Sequence, residues 1–128
     1  MSCLKNANEL YQMMGQGQTM DAFEKFYAED VKVWEPTGEC REGKEAQRAA
    51  IQQWQAGIKE FHSGGVNSIT ANEETGVSCV ESWTDITTQD GNRWKLEEVA
   101  VQKWKDNQIV NERFYYNVPA GMEAPKKA

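Results

Sequence analysis

The stretch Val33-Trp34-Glu35-Pro36-Thr37-Gly38 contains the end of an alternating apolar segment, a carboxylate and a turn. Proline disfavours helical backbone in the residue before it, so Glu35 is predicted to end a short strand, over residues 31–35, in extended conformation. A carboxylate held at a strand end and facing a pocket can act as a general base. Glu35 is therefore the first catalytic candidate, and a solvated strand end is the alternative.

Helical segments lie on both sides of this strand. Apolar residues spaced three and four apart predict a first helix over residues 4–15, a second from Thr19, and a third over 44–60 that ends before a glycine pair. Tyr11 lies on the apolar face of the first helix. Because a phenol can stabilise a developing oxyanion, Tyr11 is the second catalytic candidate, and a place in the core is the alternative.

The second half of the chain has the pattern of strands. We predict them over residues 66–72, 77–88, 93–105 and 108–117, with Asp90-Gly91 as a hairpin turn. Helices followed by antiparallel strands predict an α+β domain with its helices on one side of a curved sheet. One domain is expected over residues 1–128, with 118–128 as a frayed tail.

The order of these segments resembles the NTF2-like superfamily, in its branch of SnoaL-like polyketide cyclases and ketosteroid isomerases. The matching pieces are Tyr11, Phe26-Tyr27-Ala28-Glu29-Asp30, Trp34-Glu35-Pro36-Thr37-Gly38, Arg41-Glu42-Gly43-Lys44-Glu45, Asp90-Gly91 and Ile109-Val110-Asn111-Glu112-Arg113-Phe114-Tyr115-Tyr116. The resemblance implies an NTF2-like cone (cystatin-like), in which three N-terminal helices pack on a strongly curved mixed β-sheet.

The resemblance also implies chemical roles. In ketosteroid isomerases a carboxylate moves a proton between carbons of a ketone, while a tyrosine and a protonated acid hold the enolate oxygen. The base then falls on Glu35, the phenol on Tyr11, and the protonated acid on Ala100. Since Ala100 has no side-chain donor, ketosteroid isomerase activity near that of dedicated enzymes is not expected. The SnoaL-like relatives are the closer match.

Side-chain alternation predicts which residues face the cavity. On strand 93–105 the face with the larger aromatic residues also carries Glu98, one pleat from Ala100, so Glu98 is the third catalytic candidate. An ion pair of Glu98 with a nearby arginine or lysine is the alternative. Several carboxylates in one apolar cavity cannot all ionise freely, so the pKa of one of them, Glu35 first, is expected to rise.

On the neighbouring strands the resemblance indicates the inward faces. It favours the face of Trp83 and Asp85 on strand 77–88, and that of Val110 on the last strand. The predicted ligand-binding residues are Glu112, Trp83, Phe114 and Tyr116. For Glu112, an ion pair is the alternative.

Composition excludes several classes of partner. A net charge of −6 and a pI near 4.8 argue against nucleic acid and anionic membranes as partners. With one histidine and three scattered cysteines, a metal site is not expected, and no organic cofactor motif is present. Reduced cysteines and the lack of a signal segment favour the cytoplasm. An outer sheet face containing Val99 and Val101 predicts a homodimer.

Three functions fit these observations. The first is a SnoaL-like enzyme with a hydrophobic small-molecule pocket, which acts as a proton-transfer isomerase or cyclase on a carbonyl compound without a cofactor. The second is non-catalytic binding of a small ligand in the same pocket. The third is a protein-interaction module. Because cavity shape sets specificity, the sequence does not name the substrate.

Overall fold

The structure is a computed structural model, and it describes residues 2–117. The predicted tail, 118–128, lies outside the described residues. The elements follow one another as α1 (Cys3–Gly15), α2 (Thr19–Phe26), β1 (Tyr27–Trp34), β2 (Cys40–Glu42), α3 (Lys44–Ala56), β3 (Ile58–Asn72), β4 (Val77–Thr88), β5 (Arg93–Lys105) and β6 (Gln108–Tyr116).

The strands form one mixed sheet in the order β2-β1-β6-β5-β4-β3. The pairing of β1 with β6 is parallel and all other pairings are antiparallel. The sheet is curled but not closed, and the helices cover its concave face. The predicted α+β architecture of three helices on a curved mixed sheet is therefore confirmed.

The core lies between the helices and the concave face of the sheet. The α1 helix contributes Leu10, and α2 contributes Phe23 and Phe26, whose ring meets the indole of Trp104 edge-on at 5.7 Å. These side chains recur at helical spacing, which explains why the two short segments fold as helices once the sheet is present. In residues 2–117 no helix is long and apolar enough to cross a bilayer.

The predicted end of the third helix was wrong. The α3 helix ends at Ala56, and β3 begins at Ile58 and pairs with β4 as far as Asn72. The glycine pair breaks no helix. It lies inside β3, where a Cβ on Gly65 would stand 2.9 Å from the Trp83 Nε1 atom. Glycine is thus required because an aromatic ring crosses the strand.

Two predicted faces also need correction. On β4, Ser82 rather than Trp83 lies opposite Glu98, and directly opposite residues of an antiparallel pair share one face. The inward face therefore carries Ser82 and the fully buried Ile86. On β6 a bulge makes Val110 the extra residue and places Ile109, not Val110, in the core.

The N-terminus of α1 is held by a carboxylate from the turn between β3 and β4. Glu73 accepts hydrogen bonds from the backbone N–H groups of Cys3 (2.8 Å) and Leu4 (3.1 Å), and from the Cys3 thiol (3.0 Å). The thiol bond, followed by the backbone bonds, lowers the pKa of Glu73 to about 2. Glu73 thereby connects α1 to the far end of the sheet.

Glu73→Gln is expected to lower the urea midpoint at neutral pH, because the charged cap is lost. A carboxylate with a depressed folded pKa stabilises the fold above its ordinary value of 4.5, and this contribution is lost as the pH falls toward 2. The difference between wild type and variant should therefore shrink over that interval. Glu74→Gln, at the neighbouring exposed position, is the control. Equal midpoints of wild type and Glu73→Gln at neutral pH would contradict this role.

Candidate functional site

A cavity of about 830 Å³ opens between the helices and the concave face of the sheet. Most of its wall is apolar, and exposed side chains such as Phe61 (60% exposed) and Val66 (43% exposed) stand at its rim. The main apolar lining residues are Met14, Ile51, Trp54, Ile58, Phe61, Val66, Ile86, Leu96 and Phe114. A few polar side chains interrupt this wall, a composition typical of small-molecule sites.

A chain of buried hydrogen bonds lies under one end of the cavity. The Trp104 indole N–H donates to Ser78 Oγ at 2.8 Å, and Ser78 Oγ donates to Gln102 Oε1 at 2.8 Å. An indole can only donate, so Ser78 must accept from it and direct its own proton to Gln102. The side-chain nitrogen of Gln102 is thereby turned toward the cavity floor.

That nitrogen bonds to two groups. Gln102 Nε2 donates to the Tyr11 hydroxyl oxygen at 3.1 Å and to Glu112 Oε2 at 2.9 Å. The other oxygen of Glu112 accepts from the Tyr27 hydroxyl at 2.5 Å. Tyr11 is thus an acceptor toward Gln102. Because Tyr11 lines the cavity, its proton is available to a ligand.

Both phenols remain neutral over the ordinary pH range. Burial, and then the negative charges of Glu112 and Glu98, raise the pKa of Tyr11 well above its usual value. Burial, and then the charge of Glu112, raise the pKa of Tyr27 in the same way. Tyr11 therefore keeps the proton that makes it a hydrogen-bond donor.

A second polar cluster stands at the other end of the cavity wall. Arg41 Nη2 pairs with Glu35 Oε1 at 3.0 Å, and both side chains are buried. The Tyr116 hydroxyl donates to the other Glu35 oxygen at 2.8 Å, and Arg41 Nε donates to Gln47 Oε1 at 2.8 Å. Tyr116 and Gln47 line the cavity. Burial, and then the bond to Glu35, raise the pKa of Tyr116.

The turn after β1 explains how this ion pair forms. The Glu35 N–H donates to the Glu39 carbonyl and the Gly38 N–H to the Glu35 carbonyl, each at 2.9 Å. Gly38 has a φ of +91°, which glycine adopts without strain. The turn pairs Val33 with Arg41, so the arginine shares the face of Val33 and Glu35.

Six of the seven predicted site residues line the cavity, and their catalytic or binding roles stay predictions. The six are Tyr11, Trp83, Glu98, Glu112, Phe114 and Tyr116. Glu35 differs from the prediction: it is 4% exposed and is absent from the cavity lining within the described part of the chain. The physical reason is the ion pair with Arg41, which holds the carboxylate behind Tyr116.

Glu98 is the predicted catalytic carboxylate that lies on the cavity wall. It is half-buried on β5, opposite Ser82 of β4 and Tyr116 of β6. Its charge acts on both Tyr11 and Tyr116, since it raises the pKa of each phenol. Ala100, the next inward residue, is buried and presents only a methyl group.

Sequence reasoning missed the residues that orient these groups. Gln102 shares the inward face of Glu98 and Ala100, so alternation alone could have found it. Arg41 was within a matched segment, but nothing in its spacing marked it as the partner of Glu35. Tyr27 was also within a matched segment, and Gln47 carried no signal beyond its helix pattern. Among residues 2–117, no group of three potential metal ligands comes together.

Comparison with known proteins identifies the domain. A family model described as a SnoaL-like domain matches residues 1–116. A structure from Mesorhizobium loti, named a SnoaL-like polyketide cyclase, is 30% identical, with 91% of this chain and 100% of that chain covered and a TM-score of 0.79. No curated protein matches significantly.

Two more distant structures share the fold. One, named an isomerase, is from Bacillus subtilis, with 19% identity, 91% and 90% of the two chains covered and a TM-score of 0.77. The other is an NTF2-like protein from Burkholderia pseudomallei, with 17% identity, 91% and 92% covered and a TM-score of 0.76.

Ser78→Ala is expected to reduce the free energy of unfolding by about 1–3 kcal/mol, because the Trp104 N–H and the Gln102 oxygen would both lose a buried partner. Urea denaturation at neutral pH measures this change. Ser82→Ala, on the same face of β4, is the control and should stay within about 0.5 kcal/mol of wild type. Equal stability of the two variants would show that the buried chain does not orient Gln102.

Proposed function

The chain belongs to the SnoaL-like domain family, and we propose that it binds an apolar ketone in the cavity and moves a proton on it without a cofactor. The product would be an isomerised or cyclised carbonyl compound. The names of the related structures, one a cyclase and one an isomerase, are consistent with such chemistry.

The position of the Tyr11 hydroxyl group is the observation on which this proposal rests. It lies at the floor of a largely apolar cavity, and Gln102 already occupies the acceptor side of the hydroxyl. A ketone oxygen that reaches the floor can accept the Tyr11 proton in a hydrogen bond. Such a bond strengthens as negative charge develops on the oxygen, so it favours the transition state of enolisation.

Glu98 is the proposed base. It would take a proton from the carbon next to the carbonyl, and the electrons of that C–H bond would form an enolate whose oxygen faces Tyr11. The same proton would then return from Glu98 to another carbon of the conjugated system. Glu98 ends the cycle as the carboxylate, and no oxidant or second reactant is needed.

The ion pair favours Glu98 over Glu35 as the base. One oxygen of Glu35 accepts a hydrogen bond from Arg41 and the other accepts one from Tyr116, so both oxygens already have a donor. We propose that Glu35 acts as a positioning residue through Tyr116. Phe114 would contribute apolar contacts to the ligand, and Glu112 would orient the Gln102 amide under the cavity floor. Trp83, whose ring lies against Lys95 on the outer side of β4, would have no contact with the ligand.

Two further features belong to the proposal. Cys3, Cys40 and Cys79 are all free thiols, which supports a reducing compartment such as the cytoplasm. Val99, Val101 and the 52% exposed Tyr115 lie together on the outer sheet face, since Val99 pairs with Tyr115. These apolar side chains, which lie beside the charged Glu81 and Arg113, support a homodimer formed by two outer sheet faces.

Hydrogen exchange of a bound ketone tests the proposed proton transfer without knowledge of the natural substrate. In deuterated buffer, the wild type should accelerate exchange of the acetyl protons of 2-acetylnaphthalene, followed by NMR. Glu98→Gln should lose about 100-fold or more of this rate because it removes the base. Tyr11→Phe should lose about 10²–10³ because it removes the donor to the enolate oxygen.

Glu81→Gln, an exposed carboxylate on the outer face of β4, is the control and should exchange at the wild-type rate. Binding of the ketone by calorimetry together with exchange at the buffer rate would contradict the catalytic proposal. That result would favour the alternative of a non-catalytic ligand-binding protein.

Light scattering tests the proposed dimer. The wild type at micromolar concentration should give about twice the monomer mass of 14.6 kDa, and Val101→Glu should give the monomer because it places a charge in the apolar face. Gln53→Glu, on the exposed side of α3, should leave the dimer intact. A wild-type mass near that of one chain would contradict the proposal.

A further inference from the structure

The Glu35–Arg41 pair determines the hydrogen-bond direction of two cavity-lining groups. Tyr116 donates its proton to Glu35, so its oxygen can only accept from a ligand. Gln47 accepts from Arg41 Nε with its carbonyl oxygen, so it presents its amide nitrogen as a donor. The cavity wall beside this ion pair therefore carries one acceptor, the Tyr116 oxygen, and one donor, the Gln47 amide nitrogen.

A third observation indicates that this cluster lacks an acceptor. The remaining guanidinium nitrogen, Arg41 Nη1, is buried and has no acceptor among residues 2–117. Buried donors without partners are rare in native proteins because their lost hydration is not replaced. The cluster is therefore short of one acceptor, and the Gln47 amide is its donor that lines the cavity.

The charges near the cluster restrict the chemistry of that oxygen. The Arg41 charge is already balanced by Glu35, and Glu98 lies directly opposite Tyr116 in the sheet. A carboxylate or phosphate accepts hydrogen bonds but offers no proton to Tyr116. An ammonium group would offer protons but no acceptor. A neutral hydroxyl group supplies both.

We propose that the ligand of this protein is a hydroxy ketone, whose hydroxyl group binds at Tyr116 and Gln47 while its carbonyl binds at Tyr11. This inference rests on the proposed function, because the carbonyl end is the one that reacts. The two ends of the ligand match the two tyrosines: Tyr11 donates to the carbonyl oxygen, and Tyr116 accepts from the hydroxyl group. Glu35 and Arg41 are then specificity-determining residues that act through their neighbours.

Three matched ketones test the inference by calorimetry with the full chain: 2-acetylnaphthalene, its 6-hydroxy derivative and its 6-methoxy derivative. The hydroxy compound should bind about 10-fold more tightly than the other two, since roughly 1.4 kcal/mol corresponds to that factor. The methoxy compound can accept but not donate, so it should gain little. Tyr116→Phe should abolish the preference, so that the hydroxy and methoxy compounds bind to it with equal affinity.

Tyr115→Phe makes the same change one residue away on the outer face, and it should retain the preference. Gln47→Met removes the amide donor and should weaken the hydroxy compound selectively. Equal binding of the three ketones to wild type, or an unchanged preference in Tyr116→Phe, would overturn the inference alone. Failure of all three ketones to bind would contradict the proposed function as well.

Discussion

The hydrogen bond from the Trp104 indole to Ser78 determines the direction of every other bond under the cavity floor. An indole nitrogen has no acceptor capacity, so this first bond cannot be reversed. Ser78 must then donate to the Gln102 oxygen, and the Gln102 nitrogen must point at Tyr11 and Glu112. A flipped amide would leave buried groups without partners, at a cost of about 1–3 kcal/mol each. The Tyr11 hydroxyl, the proposed donor to the ligand, therefore owes its hydrogen-bond direction to residues that do not line the cavity.

The ion pair of Glu35 and Arg41 likewise sets hydrogen-bond directions at the other end of the cavity wall. Glu35 accepts from Arg41 with one oxygen and from Tyr116 with the other, so it fixes the direction of the Tyr116 hydroxyl. Glu98, the proposed base, lies on the cavity wall.

The sequence predicted the fold well and the site in part. Helical spacing of apolar residues and the Asp90-Gly91 turn identified the helices and the long hairpins, since these signals are local. The end of α3 was not predictable, because Ile58 and Phe61 continue its apolar pattern and only pairing with β4 makes them strand. Alternation placed Glu98 on the correct face. The partner of Glu35 was not visible, because it depends on a turn that brings Arg41 back beside Val33.

A neutron structure of the deuterium-exchanged protein tests the central claim most directly, because it locates the hydrogens that set these directions. Our account predicts that the two deuterium atoms bonded to Gln102 Nε2 point at Tyr11 Oη and Glu112 Oε2. It also predicts that the Tyr11 deuterium points into the cavity. A Gln102 amide in the opposite orientation, with the Tyr11 deuterium directed at its oxygen, would contradict it.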